Sequence, residues 1–335
     1  MCALAGLAAA CSSGDAIAAR GTAPGDGGTS DSAPANIASD SGLAAPDSGP
    51  ADGAPDSGPS KDASAPAAPS CNAGDRQEWS GAIPNTLLAV AVCSLCGESY
   101  IVASNGSASP GVVSAGNGST TITANVPPGG TATTANIADD PTSGSVNICG
   151  DTGSHQCLPA ATPNQRYCNP YRDVAGLTPE RIDQGVDYGG SGSIYALGPG
   201  TIDLFSNRND PGWPGSTFVS YKVSAGPASG KIIYLAENID LDPALHAGSF
   251  VYSGTVLGTL VHASPDSESG WGVEGAGYTA EHSCYTEGCM TALGVNFNEL
   301  LVCLKAPSGT TGQGGCCTSA AGWPSGWCSL LAAWQ

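Results

Sequence analysis

Basic side chains are scarce in this sequence. Only 10 of the 335 residues are Lys or Arg, against 29 Asp and Glu, which gives a formal net charge of −19. Binding to nucleic acid requires clustered Lys and Arg side chains that neutralise phosphates, so the composition excludes nucleic acid as an expected partner. The negative charge favours solubility and carries no information about the fold.

Large side chains are rare in the first part of the chain. Residues 12–70 consist mainly of Ala, Asp, Gly, Pro and Ser, with the near-repeat APDSGP at 45–50 and 54–59. A segment of this kind has too little apolar surface to offset the entropy lost on ordering. We therefore expect a disordered, extended linker here and packed structure from Cys71 onward.

A long apolar run is missing after the N-terminus, so no membrane span is predicted there. Residues 1–11, MCALAGLAAAC, are small and apolar up to Cys11. They resemble the end of a bacterial lipoprotein signal peptide, which implies lipidation of Cys11; an ordinary cleaved signal peptide is the alternative. The expected location is secreted or lipid-anchored in the bacterial cell envelope, in the periplasm, at the outer membrane or outside the cell.

Cysteine, in contrast, is abundant. The chain has 14 cysteines, and twelve of them, an even number, follow the N-terminal segment. This usage indicates an oxidising compartment and disulfide bonds. The pairing is open, although the short spacing of Cys284 and Cys289 favours a local bridge. The alternative is a structural zinc site of four thiolates: Cys93, Cys96, Cys149 and Cys157.

Residues 71–168 are expected to form a small β-rich module with disulfides. The apolar segment 83–92 predicts either a short helix or a buried strand, whereas TTITANV at 120–126 predicts a strand and PPGG at 127–130 a turn. Glu98, at the end of LLAVAVCSLCGESY, offers a distant likeness to the catalytic Glu-Ser of lysozyme-like transglycosylases. A solvated surface glutamate is the alternative.

Residues 169–306 are expected to form the main domain. From residue 181 to 274 apolar and polar residues alternate between glycines, which is typical of half-buried strands joined by tight turns. Four segments in this range can be compared with the motifs of known protein families: DQGVDY at 183–188, IYALGPGTI at 194–202, KIIYLAE at 231–237 and GSFVYSGTVLG at 248–258.

In their order and glycine spacing these segments resemble the lysostaphin-like M23 peptidases. The resemblance implies an antiparallel β-sheet domain of the duplicated hybrid-motif type, with a substrate groove. It also implies that the zinc site is lost. Asp183 stands at the first histidine position, only Asp187 matches, Ala236 replaces the next histidine, and the HxH histidines fall on Gly270 and Gly272.

The four histidines fall at no ligand position and are expected to be scattered over the surface: His155, His246, His262 and His282. A cluster of carboxylates is expected instead where the zinc would lie, made of Asp183, Asp187, Glu237 and Glu274. These are the candidate catalytic residues, and Asp183 with Asp187 is the candidate site for a divalent cation, Ca²⁺ or residual Zn²⁺.

The alternatives for this cluster are a salt-bridged structural group neutralised by Arg181 and Lys231, or a pair of carboxyls that share a proton and act on a glycan. Five aromatic residues are the candidate ligand-binding side chains, because sugar faces stack on aromatic rings. They are Tyr188, Tyr195, Trp213, Tyr234 and Trp271, with Trp271 expected to line the groove and Trp213 to be partly exposed in a turn.

The C-terminal part begins with a predicted helix over residues 296–305, with Phe297, Leu300, Leu301 and Leu304 on one face, and Pro307 ending it. Residues 307–335 are expected to form an irregular extension tied by disulfides. The sequence thus predicts an envelope pseudoenzyme that binds peptidoglycan or another wall polymer, or regulates a wall hydrolase. The alternatives are a hydrolase that uses the acidic cluster or a residual metallopeptidase, and a structural envelope protein.

Overall fold

The computed structural model describes residues 66–159, 162–206, 212–260, 267–311 and 313–335, all within one compact unit. Cys11, the linker as far as residue 65 and His262 lie outside the described residues. The fold is mainly β, with 44% strand and 8% helix, and its sheets are mainly antiparallel. Among the described residues, no helix combines the length and apolar character needed to cross a membrane.

Two small sheets form the first part of the structure and share one apolar core. Their strands are β1 (Arg76–Ala82), β2 (Leu88–Ser94), β3 (Glu98–Asn105), β4 (Gly111–Gly116), β5 (Thr121–Val126), β6 (Thr131–Thr133), β7 (Ile137–Ala138), β8 (Asn147–Asp151) and β9 (His155–Cys157). One sheet has the order β1-β2-β3-β6, with β7 also on β3, and the other has the order β5-β4-β8-β9.

The apolar segment 83–92 contains a strand and no helix. Every residue of β2 is buried, because Leu88, Val90 and Val92 face the shared core while Ala91 and Cys93 face a second apolar cluster. A strand covered on both faces reads as a continuous apolar run. Glu98, the residue of the transglycosylase comparison, begins β3 as an exposed side chain that accepts a hydrogen bond from Asn136 (3.2 Å), so no buried catalytic glutamate is found there.

An eleven-stranded sheet forms the second part of the described structure. Its strands are β10 (Ala175–Ile182), β11 (Gly185–Tyr195), β12 (Gly200–Ser206), β13 (Phe218–Val223), β14 (Ile232–Glu237), β15 (Ile239–Leu241), β16 (Phe250–Val251), β17 (Val256–Leu260), β18 (Ser267–Val273), β19 (Ala276–Thr279) and β21 (Thr310–Thr311). The strand order is β15-β17-β11-β18-β14-β13-β12-β16, with β10 on β11, β19 on β18 and β21 on β10. Two further short strands, β20 (Cys289–Met290) and β22 (Gln313–Gly315), pair in parallel.

The middle strands of this sheet have two different faces. Val186, Ile233 and Trp271 point into the large apolar core, which two helices help to close. The helices are α1 (Ala292–Cys303) and α2 (Trp327–Leu331). On the opposite face, side chains of the same strands form a separate site, because successive residues of a strand alternate between the two faces.

Helix α1 confirms the predicted C-terminal helix, since all four residues of the predicted apolar face are buried. It begins earlier than expected, because Thr291 caps it: the Thr291 hydroxyl accepts a hydrogen bond from the Gly294 N–H at 3.0 Å. The helix ends at Cys303, and Lys305 beyond it has a positive φ of 72°.

Six disulfides join all twelve cysteines that follow the N-terminal segment, so the prediction of a disulfide-bonded protein is confirmed. The pairs are Cys71–Cys93, Cys96–Cys168, Cys149–Cys157, Cys284–Cys317, Cys289–Cys316 and Cys303–Cys328. The local Cys284–Cys289 bridge is wrong, because each cysteine pairs with one residue of the Cys316-Cys317 tandem. The four-thiolate zinc site is also wrong, because its cysteines are all oxidised.

Candidate functional site

The candidate site is built on the three neighbouring strands β11, β18 and β14. Asp187 of β11 lies opposite Glu268 of β18, and Glu268 lies opposite Ala236 of β14. Antiparallel pairing puts opposite residues on the same face, so Asp187, Glu268 and Tyr234 all project away from the apolar core. Acidic groups therefore meet on the face of the sheet that the helices leave free.

Three carboxyl groups form what we call the acidic cluster: Asp183, Asp187 and Glu268. One oxygen atom from each lies within 4.8 Å of the other two. All three residues are buried, and Asp183 is completely inaccessible to solvent. Buried carboxylates are costly unless a cation, hydrogen bonds or a proton compensates them.

Backbone contacts with the start of α1 fix the position of Asp183. Its carbonyl oxygen accepts hydrogen bonds from the Thr291 backbone N–H at 3.0 Å and from the Thr291 hydroxyl at 2.7 Å. Gly294 permits this approach, since a Cβ at that position would lie 2.1 Å from the Asp183 carbonyl oxygen. The helix therefore holds the floor of the site while its side chains pack in the core.

Arg181 supplies the positive charge nearest to the acidic cluster. Its Nε lies 2.9 Å from Oδ2 of Asp183 and donates a hydrogen bond of 3.0 Å to Oδ2 of Asp187. Its Nη1 lies 3.0 Å from Oε1 of Glu287. Burial lowers the pKa of the guanidinium, but the negative charges of the surrounding carboxylates outweigh it, so that the pKa lies above its usual value. Arg181 is therefore a permanent cation in this site.

The cost of burying the carboxyl group of Glu268 is offset in a different way. It is hydrogen-bonded to the phenol of Tyr234, which is itself fully buried. Burial raises the pKa of Glu268 well above its usual value, and the charges of Asp183 and Asp187 raise it further. Glu268 therefore carries a proton over a range of pH in which an exposed glutamate is ionised.

A loop between Cys284 and Cys289 covers one side of the acidic cluster; we call it the wall loop. The phenol of Tyr285 donates a hydrogen bond of 3.0 Å to Oδ2 of Asp183 and accepts one of 3.0 Å from the Gly288 N–H. Disulfides at both ends of the loop join it to the C-terminal extension. The loop is thus held covalently at its ends and by polar contacts at its centre.

A cavity of about 460 Å³, which we call the groove, opens above the acidic cluster. Its size is within the range of about 300–1,000 Å³ that is usual for small-molecule sites. It is lined by aromatic, charged and small residues: Arg181, Gln184, Gly212, Trp213, Pro214, Glu237, Glu268, Gly277, Tyr278, His282, Tyr285 and Glu287.

Aromatic rings form the sides of the groove. Trp213 packs on Phe218 and Tyr234 at centroid distances of 5.6 and 5.4 Å, and its indole N–H donates to the Gly277 carbonyl at 3.0 Å. Tyr278 stacks on His282 at 5.0 Å and remains 45% exposed. Trp213 and Tyr278 therefore offer ring surface next to carboxyl groups, a combination that suits sugars.

Glu237 ends β14 at the edge of the groove. It is buried, and its backbone has a φ of 82°, a conformation that is uncommon for residues with a Cβ. The backbone N–H of Glu237 donates to the Thr217 carbonyl at 3.0 Å. Glu237 also lines a second cavity of about 280 Å³, so it lies where two cavities meet. Strained backbone of this kind is concentrated at functional sites.

Several predicted site residues lie elsewhere. Glu274 is not in the acidic cluster; it follows the end of β18 and pairs with Lys222 at 2.7 Å on the surface. Lys231 does not neutralise the cluster either, because its ammonium lies over the Trp323 ring at 4.0 Å. Asp183 and Asp187 lie together as expected, and Glu237 lines the same groove.

Of the five aromatic residues predicted to bind a ligand, some lie at the groove and others lie elsewhere. Trp271 does not line the groove: it is completely buried on the core face, where its N–H donates to Asn296 at 3.0 Å. Tyr188 is also buried in that core, with its hydroxyl donating to the Pro307 carbonyl at 2.6 Å. Tyr195 is hydrogen-bonded to Asp173 at 2.8 Å. Tyr234 is on the groove face but buried beneath it, and Trp213 lines the groove and is half-buried.

Sequence reasoning missed five residues of the site: Glu268, Tyr278, His282, Tyr285 and Glu287. Strand alternation puts Glu268 and Glu274 on the same face, opposite to Trp271, and so does not choose between the two glutamates. His282 is exposed, as predicted for a surface histidine, and it also lines the groove. The wall loop carries no periodic pattern, and the disulfides that position it could not be paired from the sequence.

A catalytic zinc ion does not fit this donor set. Catalytic zinc is held largely by histidine or cysteine side chains, whereas the acidic cluster offers carboxyl oxygens alone. The guanidinium of Arg181 also lies within 3.0 Å of two of the three carboxylates. The donors and the arginine both disagree with a zinc site like that of active lysostaphin-like peptidases, whose histidines this sequence lacks.

Comparison with known proteins adds no family: no protein-family model, curated protein or solved structure matches the chain.

Proposed function

We propose that this protein is a non-catalytic component of the bacterial cell envelope that binds peptidoglycan or another wall polymer in the groove. The observation that carries the proposal is the combination of Trp213 and Tyr278 with the polar floor of a cavity of about 460 Å³. Rings bind the apolar faces of sugars, and carboxyl and amide groups bind hydroxyls and amines.

The shape of the site supports a chain-like ligand. The groove and the second cavity of about 280 Å³ share Glu237, and residues of the turn 212–217 contribute to both. A ligand with several units can therefore occupy adjacent positions on either side of Glu237. Wall glycans and their attached peptides have this repeating character.

The disulfides support the proposed location in the cell envelope. Six bridges within the described residues indicate an oxidising environment, extracellular or in the cell envelope. The low-complexity segment before Cys71 fits a tether that would present the folded part at a distance from a membrane or surface. The lysostaphin-like resemblance agrees with a wall ligand, while the donor set of the acidic cluster disagrees with zinc peptidase activity.

Co-sedimentation with purified, protein-free peptidoglycan tests the proposal. The wild-type protein is expected to sediment with the polymer in the presence of EDTA, and Tyr278→Ala is expected to reduce the bound fraction. Leu330→Ala is the matched control, because Leu330 has a similar exposure (42%, against 45% for Tyr278) and does not line the groove. Failure of the wild type to sediment would contradict the proposal.

A hydrolase is the second candidate, favoured by one observation: Glu268 lines the groove with a raised pKa, as a general acid requires. Glu237, which lines the same groove, would be its partner. In a glycoside hydrolase one of the two would protonate the leaving oxygen and the other would assist water or form a covalent intermediate.

Release of soluble fragments from labelled peptidoglycan separates the two candidates. The binding proposal predicts that neither the wild type nor the two variants Glu268→Gln and Glu237→Gln release fragments. A hydrolase would release fragments, and both Glu268→Gln and Glu237→Gln would abolish that release. Fragment release that persists in both variants would come from a contaminating enzyme, which a mock purification identifies.

A further inference from the structure

Arg181 lies beside the acidic cluster and contacts two of its three carboxylates, Asp183 and Asp187, where it supplies positive charge as a bound metal ion would. Two ligand oxygens on opposite sides of a Ca²⁺ ion, each about 2.4 Å away, are separated by about 4.8 Å. The oxygens of Asp183, Asp187 and Glu268 lie within 4.8 Å of one another. The cluster therefore has the dimensions of a cation site, and the cation next to it is a side chain.

The contacts of Arg181 reach beyond the cluster. Its Nε contacts Asp183 and Asp187, which are buried beneath the floor of the groove, while its Nη1 contacts Glu287 in the wall loop. A guanidinium can hold several carboxylates at once because its donors are arranged in a rigid, planar fork. Arg181 thus connects the floor of the groove to its side.

The wall loop depends on the same cluster through a second contact. Tyr285 donates to Asp183 at 3.0 Å, and both Tyr285 and Glu287 line the groove. If the cluster lacked its cation, repulsion between Asp183 and Asp187 would act on the residue that holds Tyr285. The charge of Arg181 therefore affects the geometry of the groove as well as the stability of its floor.

We propose that Arg181 is a resident cation that replaces a divalent metal ion in the acidic cluster and positions the wall loop, which makes the groove independent of metals. Arg181 is a positioning residue in this account. This role of Arg181 does not depend on what the groove binds, because Arg181 neutralises the acidic cluster whether or not a ligand is present.

Metal titration of the wild-type protein is the first test. The full chain is stripped with EDTA, and Ca²⁺, Mn²⁺ and Zn²⁺ are then titrated separately by calorimetry, with thermal unfolding recorded in parallel. We expect no stoichiometric binding at the cluster and the same Tm with each metal and with EDTA. Stoichiometric binding that Asp183→Asn removes would overturn the proposal.

Removal of the arginine is the second test. Arg181→Gln is expected to lower the Tm and to acquire a cation dependence, so that millimolar Ca²⁺ raises its Tm by several degrees. Arg181→Lys keeps the positive charge but loses the planar guanidinium group with its several donors. It is therefore expected to remain insensitive to Ca²⁺ while its Tm falls. Lys222→Gln is the control, because it removes a similarly exposed cation from a surface ion pair.

These variants separate a resident cation from an ordinary salt bridge. An ordinary salt bridge predicts a lower Tm for Arg181→Gln with no greater response to Ca²⁺ than that of Lys222→Gln, and this result would overturn the proposal. If Arg181→Gln fails to fold without metal, refolding with Ca²⁺ supports the proposal and failure in both conditions counts against it. The wild-type titration, with Asp183→Asn to locate any bound metal, decides without the arginine variants.

Discussion

The two faces of the strands β11, β14 and β18 have opposite chemistry. The core face carries Val186, Ile233 and Trp271 and is covered by α1 and α2. The groove face of the same strands carries Asp187, Tyr234 and Glu268, and it is covered in part by Trp213 and the wall loop. Both faces are formed by one backbone, so the difference between them is a difference of side chains alone.

This difference indicates what each face contributes. Burial of apolar side chains on the core face stabilises the fold by about 25 cal/mol for each Å² removed from water. Buried acids contribute no such gain, and their desolvation opposes folding unless it is compensated. The groove face therefore depends on Arg181, on Tyr234 and on the proton of Glu268 to offset the desolvation of its acids.

Truncation of a large side chain on the core face should have the largest effect. Trp271→Ala removes a fully buried ring that packs on Phe297 and Trp327, and it is expected to cost about 3–5 kcal/mol of unfolding free energy. Trp213→Ala, on the groove side, removes a half-buried ring and should cost less than half as much. Urea denaturation measures both. Equal losses would contradict the assignment of Trp271 to the core and Trp213 to the groove.

Removal of a disulfide at the wall loop should have the next largest effect. Cys284→Ser with Cys317→Ser opens a small ring, because the nested bridge Cys289–Cys316 stays closed, and it is expected to cost about 2–3 kcal/mol. Cys149→Ser with Cys157→Ser is the comparison, because it opens a similarly small ring away from the groove and should cost a similar amount. In the co-sedimentation assay only the first pair of substitutions is expected to weaken binding. Weaker binding by both would point to general destabilisation.

The pH dependence of stability distinguishes the groove face further. The pKa of Glu268 is raised mainly by burial, so between the usual carboxyl pKa and the raised value the folded protein keeps a proton that the unfolded chain has lost. Stability therefore falls as pH rises through this window. Glu268→Gln does not titrate, and its stability relative to wild type should increase with pH. Part of the slope should remain, because burial raises the pKa of Asp139 to about 6.

Urea denaturation at a series of pH values checks this prediction, with Glu274→Gln as the control for an exposed carboxyl group. Parallel curves for wild type and Glu268→Gln would show that Glu268 is ionised in the folded protein at the same pH as in the unfolded chain.

The surface pair of Lys222 and Glu274 should have the smallest effect. Both side chains are about half exposed, and solvent screens their attraction. Glu274→Gln is expected to change the unfolding free energy by less than about 1 kcal/mol and to leave wall binding unchanged. A large loss of binding would restore Glu274 to the functional site, where the sequence alone had placed it.

The sequence predicted the β class, the disulfides and the closing helix because each has a local signature. Alternation between glycines indicates strands, and the spacing of Phe297, Leu300, Leu301 and Leu304 indicates one buried helical face. The M23-type architecture and the domain boundaries remain predictions.

The content of the site was harder to predict than the fold. Asp183 and Asp187 were placed correctly beside each other, and Arg181 beside both. Glu274 was chosen in place of Glu268, six residues earlier. The two residues are an even number of positions apart, so in a continuous strand they would point to the same face. However, β18 ends at Val273, and Glu274 lies beyond it. Strand ends are set by pairing with distant segments, which one sequence does not reveal.

Trp271 illustrates a second limit of prediction from the sequence. A tryptophan in a glycine-flanked segment fits both a ligand platform and a core, and its aromatic partners Phe297 and Trp327 come from the two helices. Only the packing of those helices against β18 decides between the two. Tyr278, His282 and Tyr285 reach the groove from β19, from the turn that follows it and from the wall loop, and none of these positions has a local signature in the sequence.

The affinity of the groove for soluble peptidoglycan fragments tests the central claim most directly. Titration calorimetry in EDTA would compare the wild type, Tyr278→Ala and Leu330→Ala, all with folded far-UV spectra. We predict saturable binding by the wild type and Leu330→Ala, and an affinity at least about tenfold lower for Tyr278→Ala, as expected for the loss of one stacked ring. Equal affinities for all three proteins, or no binding by the wild type, would contradict the assignment of the groove as a wall-polymer site.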